Sequence, residues 1–266
     1  MRGNMVMYER SEEDTRLFDV EELDYIFGSE LMGKGTIVTI MYDAFSLGWA
    51  LGFEIFKKLL HKNSFGVIHN YTLPVIKLAS RAMFVGLDIH EVAKKNKLLI
   101  VDVFGSKYNV PSYNGMSFQI PDLTPETLHP KITNIYYEKI FPVVGDRKIV
   151  KLVYILDGLT TMVGEDVAIK LLNTEVAWIA NMYEKRKIVD IFLLNTDIVS
   201  KKFIAWTASL SDIVIVFQSL LEERKEDKIK ERMIIIKSPS KEFEPTTFEF
   251  NVTVSDEGFH SLNFKK

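Results

Sequence analysis

Cysteine is absent from the 266 residues, which excludes disulfides, thiolate metal sites and a cysteine nucleophile. That fits a reducing compartment, and a cytoplasmic location is the expectation. Neither charge sign dominates: 33 basic residues face 36 acidic ones, a formal net charge of −3, so no global attraction to nucleic acid or an anionic membrane is expected. No uncharged apolar run reaches the length a membrane-spanning helix needs. The opening stretch MRGNMVMYERSEEDTR is too polar for a secretory leader. The histidines, His61, His69, His90, His129 and His260, are scattered without metal-ligand spacing, and no metal site is expected. There is no internal repeat and no low-complexity tract.

What is present is a core. With 47% apolar residues the chain has enough material for one large α/β domain. Residues 1–18 read as an N-terminal lead-in and 19–266 as that domain. Asp19 to Phe27 has helical spacing. Short apolar runs then alternate with helical patterns: strands at Thr36–Met41, Phe65–Asn70, Leu98–Phe104, Val150–Leu156, Val189–Asn195 and Ile213–Leu220, with helices between them. Such alternation predicts a mainly parallel sheet with helices on both faces. Met233–Lys237 and Phe248–Val254 predict an antiparallel addition at the C-terminal end, closed by a turn at Ser255–Gly258. Gly105 to Asp122 reads as a long loop, and Pro130 and Pro142 limit any helix within Leu128–Val143. The charged run Glu222–Arg232 reads as a solvated hairpin extension.

Gly35 to Leu60 draws most of the functional interest. A strand, a turn and a helix in that order are the setting of a phosphate-binding loop, Gly-x4-Gly-Lys-[Ser/Thr]. The corresponding window runs from Asp43 to Ala50 and keeps only its second glycine, Gly48. Asp43 replaces the first glycine, Trp49 the lysine and Ala50 the hydroxyl residue, with Phe45 and Ser46 between. Trp49 offers no cation for the β and γ phosphates and Ala50 no oxygen for magnesium. A carboxylate at about 4 Å from a phosphate charge costs about 1 kcal/mol in water and about 4 at an effective dielectric near 20.

Several phrases of the sequence resemble the RecA/KaiC-like P-loop ATPase superfamily. Leu23-Asp24 through Gly28 to Gly35 is similar to its lead-in, Val153 to Asp157 to its Walker B strand, and Phe248 to Phe259 to its C-terminal strand and turn. Small uncharacterised proteins of hyperthermophilic archaea are the kin this resemblance suggests. It implies a RecA-like α/β fold. It also places the superfamily's catalytic glutamate after the second strand, where this chain has His69-Asn70-Tyr71-Thr72-Leu73 and no carboxylate. Only Asp157 stands where a Walker B aspartate would.

The expectation is therefore a degenerate, catalytically inactive module without a cofactor, a protein- or peptide-binding or assembly component. Its expected context is a homo-oligomer or a complex with an active ATPase. Phe45, Leu47, Trp49 and Phe53 are the candidate lining of a partner groove. The alternative is a nucleotide-binding protein or ATPase that uses ATP and magnesium through an altered site completed by a partner. Two weaker readings complete the set: a hydrolase elbow at Ser46 with Asp157 and His260, and single-strand stacking on Tyr108, Tyr113 and Phe118, for which Lys107 is the sole cation between 105 and 122.

Overall fold

The run TIVTIMY forms β1 (Thr36–Tyr42), and every residue of it is buried. A strand covered on both faces needs apolar residues at odd and even positions alike, which a continuous run supplies and an alternating one does not. The computed structural model describes residues 35–61, 64–112, 115–182, 185–221, 229–240, 243–255 and 258–265. The expected lead-in and the helix at Asp19–Phe27 lie outside them. Within them the all-buried pattern recurs in β2 (Phe65–Asn70) and β5 (Ile149–Tyr154), and almost throughout β6 (Ile188–Asn195).

Between and beside these strands come α1 (Gly48–His61), α2 (Val75–Met83), α3 (Ile89–Lys94), β3 (Leu98–Asp102), α4 (Val103–Tyr108) and β4 (Ser117–Phe118). Then follow α5 (Pro125–Ile135), α6 (Phe141–Val144), α7 (Leu156–Val163), α8 (Glu165–Met182) and α9 (Lys201–Leu210). The described chain ends in β7 (Ile213–Ser219), β8 (Ile229–Lys237), β9 (Thr246–Ser255) and β10 (Gly258–Lys265). All ten strands join one sheet in the order β10-β9-β8-β7-β1-β6-β5-β2-β3-β4. Pairing is parallel from β7 to β4 and antiparallel from β7 out to β10. Helices α1 to α3 bury their apolar stripes on one face and α5 to α9 on the other, giving two cores separated by the sheet.

Four local expectations change. Strand β3 stops at Asp102 because its carboxylate accepts the Gly105 N–H at 3.0 Å and starts α4 inside what read as strand and loop. Helical structure runs unbroken from 125 to 144 despite both prolines, passing through a π turn at Tyr136–Ile140. Widening the helix just before Pro142 makes room for a ring that would otherwise collide with the preceding turn. Strand β8 begins at Ile229, so the end of the charged run is sheet rather than extension. A tenth strand, β10, follows the segment read as a turn at Ser255–Gly258 and stands where the sequence read a polar tail, paired antiparallel with β9. No helix among the described residues is long and apolar enough to cross a membrane.

Candidate functional site

The turn between β1 and α1 lies at the carboxyl end of the parallel strands, the edge at which open α/β sheets bind ligands. Gly48 opens α1 because a Cβ there would lie 2.4 Å from Tyr42 Cβ and 3.0 Å from Phe217 Cβ. The helix start is thereby pressed against β1 and β7. In a phosphate loop the backbone N–H groups ahead of the helix would point at an anion. Here all five from Asp43 to Leu47 have acceptors inside the chain. Asp43 donates to the Phe217 carbonyl at 3.4 Å and Ser46 to the Asp43 carbonyl at 3.2 Å.

The other three donate to carboxylates. Ala44 N–H reaches Asp197 Oδ2 at 2.9 Å, Phe45 N–H reaches Asp43 Oδ1 at 2.9 Å, and Leu47 N–H reaches Glu231 Oε1 at 2.8 Å. Asp43 Oδ2 also accepts the Ser219 N–H at 2.5 Å, tying the loop to the end of β7. Glu231 arrives from β8 and is fully buried, and its Oε2 has no hydrogen-bond partner among the described residues. Burial pushes its acid constant up to about 7, against the Leu47 N–H and with help from the Asp43 charge. Asp197 and Glu231 had no signal in the sequence, since they lie 153 and 184 residues from the loop positions they serve.

The expected groove residues separate. Phe45 is 68% exposed, whereas Phe53 is fully buried against Tyr154, with ring centroids 5.0 Å apart, and cannot line a groove. Leu47 and Trp49 are half-buried on the core. The Trp49 ring lies 5.3 Å from that of Phe84, and the Arg81 guanidinium sits over it at 4.6 Å. Ala50 is fully buried. Ser46 donates its hydroxyl to the Asp43 carbonyl at 3.2 Å and is buried; the His260 side chain lies outside the described ones. Asp157 is not at a strand end: β5 finishes at Tyr154, and Asp157 sits in the first turn of α7. Its Oδ1 accepts the Asn195 N–H at 3.0 Å, holding α7 to the end of β6. Burial raises its acid constant and the Asn195 N–H opposes the rise.

No family model matches the sequence, and no curated protein matches it either. Solved structures do. The uncharacterised protein PH0321 from Pyrococcus horikoshii, crystallised in complex with an unknown peptide, superposes with a TM-score of 0.72 at 21% identity, over 93% of this chain and 98% of that one. The KaiC-like protein PH0186 from the hyperthermophilic archaeon Pyrococcus horikoshii OT3 gives 0.62 at 14% identity, over 89% and 95%. The flagellar accessory protein FlaH from Methanocaldococcus jannaschii gives 0.60 at 11%, over 94% and 97%. The chain has the RecA/KaiC-like fold.

At the end of β2, where the resemblance to RecA/KaiC-like ATPases places a catalytic glutamate, Asn70 is buried and donates to Asp102 Oδ1 at 2.8 Å and to the Leu73 carbonyl at 2.5 Å. The structure thus brings a carboxylate to this point from β3, which sequence reading missed because β3 read as running on to Phe104. Asp102 Oδ2 is buried without a hydrogen-bond partner among the described residues.

A second polar cluster lies on the opposite face of this RecA/KaiC-like sheet. Lys151, fully buried in the middle of β5, contacts Asp190 Oδ2 on β6 at 2.6 Å and pairs with Glu175 on α8. His129 Nδ1 on α5 is 3.4 Å from the same Glu175, and His69 Nε2 is 3.0 Å from the Tyr136 hydroxyl. Burial opposes the charge on Lys151, yet its two acidic partners outweigh that and raise its constant. Burial also opposes ionisation of Glu175, which Lys151 and His129 overcome, holding it below the usual carboxylate range. Asp190 is pushed up to about 7 by burial, with Lys151 opposing, and His69 down to about 3 by burial and the Lys151 charge. A cavity of about 30 Å³ adjoins the cluster between β5, α5 and α8, enough for one or two waters. Among the described residues no group of three His, Asp or Glu is placed to hold a metal ion.

Proposed function

We propose that this protein is a RecA/KaiC-like module whose phosphate loop has been given over to internal carboxylates, and that it serves as a catalytically inactive protein- or peptide-binding or assembly component. One observation carries the reading: Asp43, Asp197 and Glu231 accept hydrogen bonds from the loop N–H groups that an anionic ligand would need. A triphosphate would have to displace three carboxylates, and it would find Trp49 and Ala50 where a cation and a metal-ligating hydroxyl belong. The unknown peptide crystallised with PH0321, a structure of the same fold, supports the binding role.

The test is a titration of ATP with magnesium, followed by calorimetry and by melting temperature. No saturable heat and no thermal shift are expected at millimolar nucleotide. A dissociation constant below about 100 μM overturns the proposal in favour of an ATP-binding protein with an altered site, because ligand at a hundredfold excess adds about 2.7 kcal/mol of stability.

A further inference from the structure

The surface immediately around the loop combines exposed apolar side chains with carboxylates. Phe45, Ile198 and Leu221 are 68%, 58% and 49% exposed, high values for large hydrophobic residues. They belong to one locality. Phe45 is in the loop, Ile198 follows the Asp197 that accepts Ala44 N–H, and Leu221 is two residues past the Ser219 whose N–H is held by Asp43.

The loop N–H groups between them are capped by carboxylates. The loop donors are already spent, so what this patch still offers a ligand is negative charge and oxygen acceptors from Asp43 and Asp197 over the buried Glu231. Of the cations on the adjoining elements, Lys202 pairs with Asp166 at 2.8 Å and Lys230 with Glu249 at 3.1 Å, while Arg81 lies over the Trp49 ring and Lys201 stands exposed at the start of α9. Such a patch complements a chain segment with apolar side chains on either side of a lysine or arginine, and it disfavours an acidic one.

Resting on the binding role proposed above, we infer that the apolar rim of Phe45, Ile198 and Leu221 around the acidic loop is the docking surface for a basic, apolar peptide segment of another protein. Aromatic and aliphatic anchors supply most of the affinity in such sites, and the charge supplies selectivity.

The probes are three fluorescein-labelled hexapeptides: alternating leucine and lysine, alternating leucine and glutamate, and alternating serine and lysine. Fluorescence anisotropy with the full chain should give saturable binding of the first only, weakening as salt rises. Phe45→Ser with Ile198→Ser should weaken it by about tenfold or more, the loss expected on removing anchor side chains. The melting temperature should stay unchanged, because both positions are exposed. Equal binding of the leucine–glutamate peptide, or binding that survives the double substitution, overturns the inference. If none of the peptides binds while ATP also fails to bind, this docking surface is wrong and the nucleotide-free reading stands; if ATP binds, that reading itself falls. Light scattering that finds a dimer abolished by Phe45→Ser overturns it as well, since the rim is then covered by a second copy.

Discussion

At Glu231 one side chain serves two opposed ends. It closes the loop by accepting the Leu47 N–H, yet it brings a carboxylate with an unpartnered oxygen into the protein interior. Its folded acid constant, about 7, lies above the ordinary value of 4.5. The folded state therefore holds the proton more tightly, and the stability this confers is fully present below about pH 4.5 and is lost as pH rises through about 7. Glu231→Gln keeps an oxygen for Leu47 and removes the titration. Urea melts of this variant between about pH 5 and 8 should show a smaller fall in stability than the parent chain, with the difference concentrated below pH 7. An unchanged slope would mean that Glu231 is not held as described. Asp43 was legible in the sequence as a charge out of place in a phosphate loop, but its use was not: rather than merely repelling an anion, it holds Phe45 and Ser219.

Among the elements, β1, β2, β5 and β6 were legible because unbroken apolar runs have few other homes than a sheet covered on both sides. The same runs concealed Lys151. In the sequence IVKLVY a lysine inside a buried strand reads as a local flaw, whereas the structure places acids from β6 and α8 around it. Those acids lie 39 and 24 residues away, and no local pattern links them. Lys151→Met should cost about 3–5 kcal/mol, the usual penalty for leaving buried charge without its counterion. Adding Glu175→Leu and Asp190→Leu should recover most of that loss, measured as denaturant midpoints, since an apolar replacement of the whole group carries no orphaned charge. Failure to recover would show that the group is needed for packing and not only for neutrality. The π turn before Pro142 was illegible for another reason: prolines read as helix breaks, and the sequence does not show that a widened turn can absorb one.

On the scale of the whole molecule, the loop is closed by residues from three distant points of the chain, brought together because β1, β6, β7 and β8 converge at one edge of the sheet. The fold class was readable from the alternation of elements, while this convergence depends on strand order and was not. Restoring the signature residues alone should therefore fail. Trp49→Lys with Ala50→Thr and Asp43→Gly leaves Asp197 and Glu231 on the loop, and calorimetry with ATP and magnesium should remain silent. Adding Asp197→Ala and Glu231→Ala should bring measurable nucleotide binding, and silence there too would mean that the loop backbone has diverged from a phosphate-binding shape. A nucleotide switch reads the supply of its ligand from solution, loading and emptying as the energy charge of the cell varies. Here the occupants of the loop are covalent parts of the chain, present at fixed and undilutable effective concentration, and on the proposed reading the edge they organise does not follow the nucleotide supply. On the binding role proposed above, what it presents to a partner is set when the chain folds and stays the same whether the cell is fed or starved.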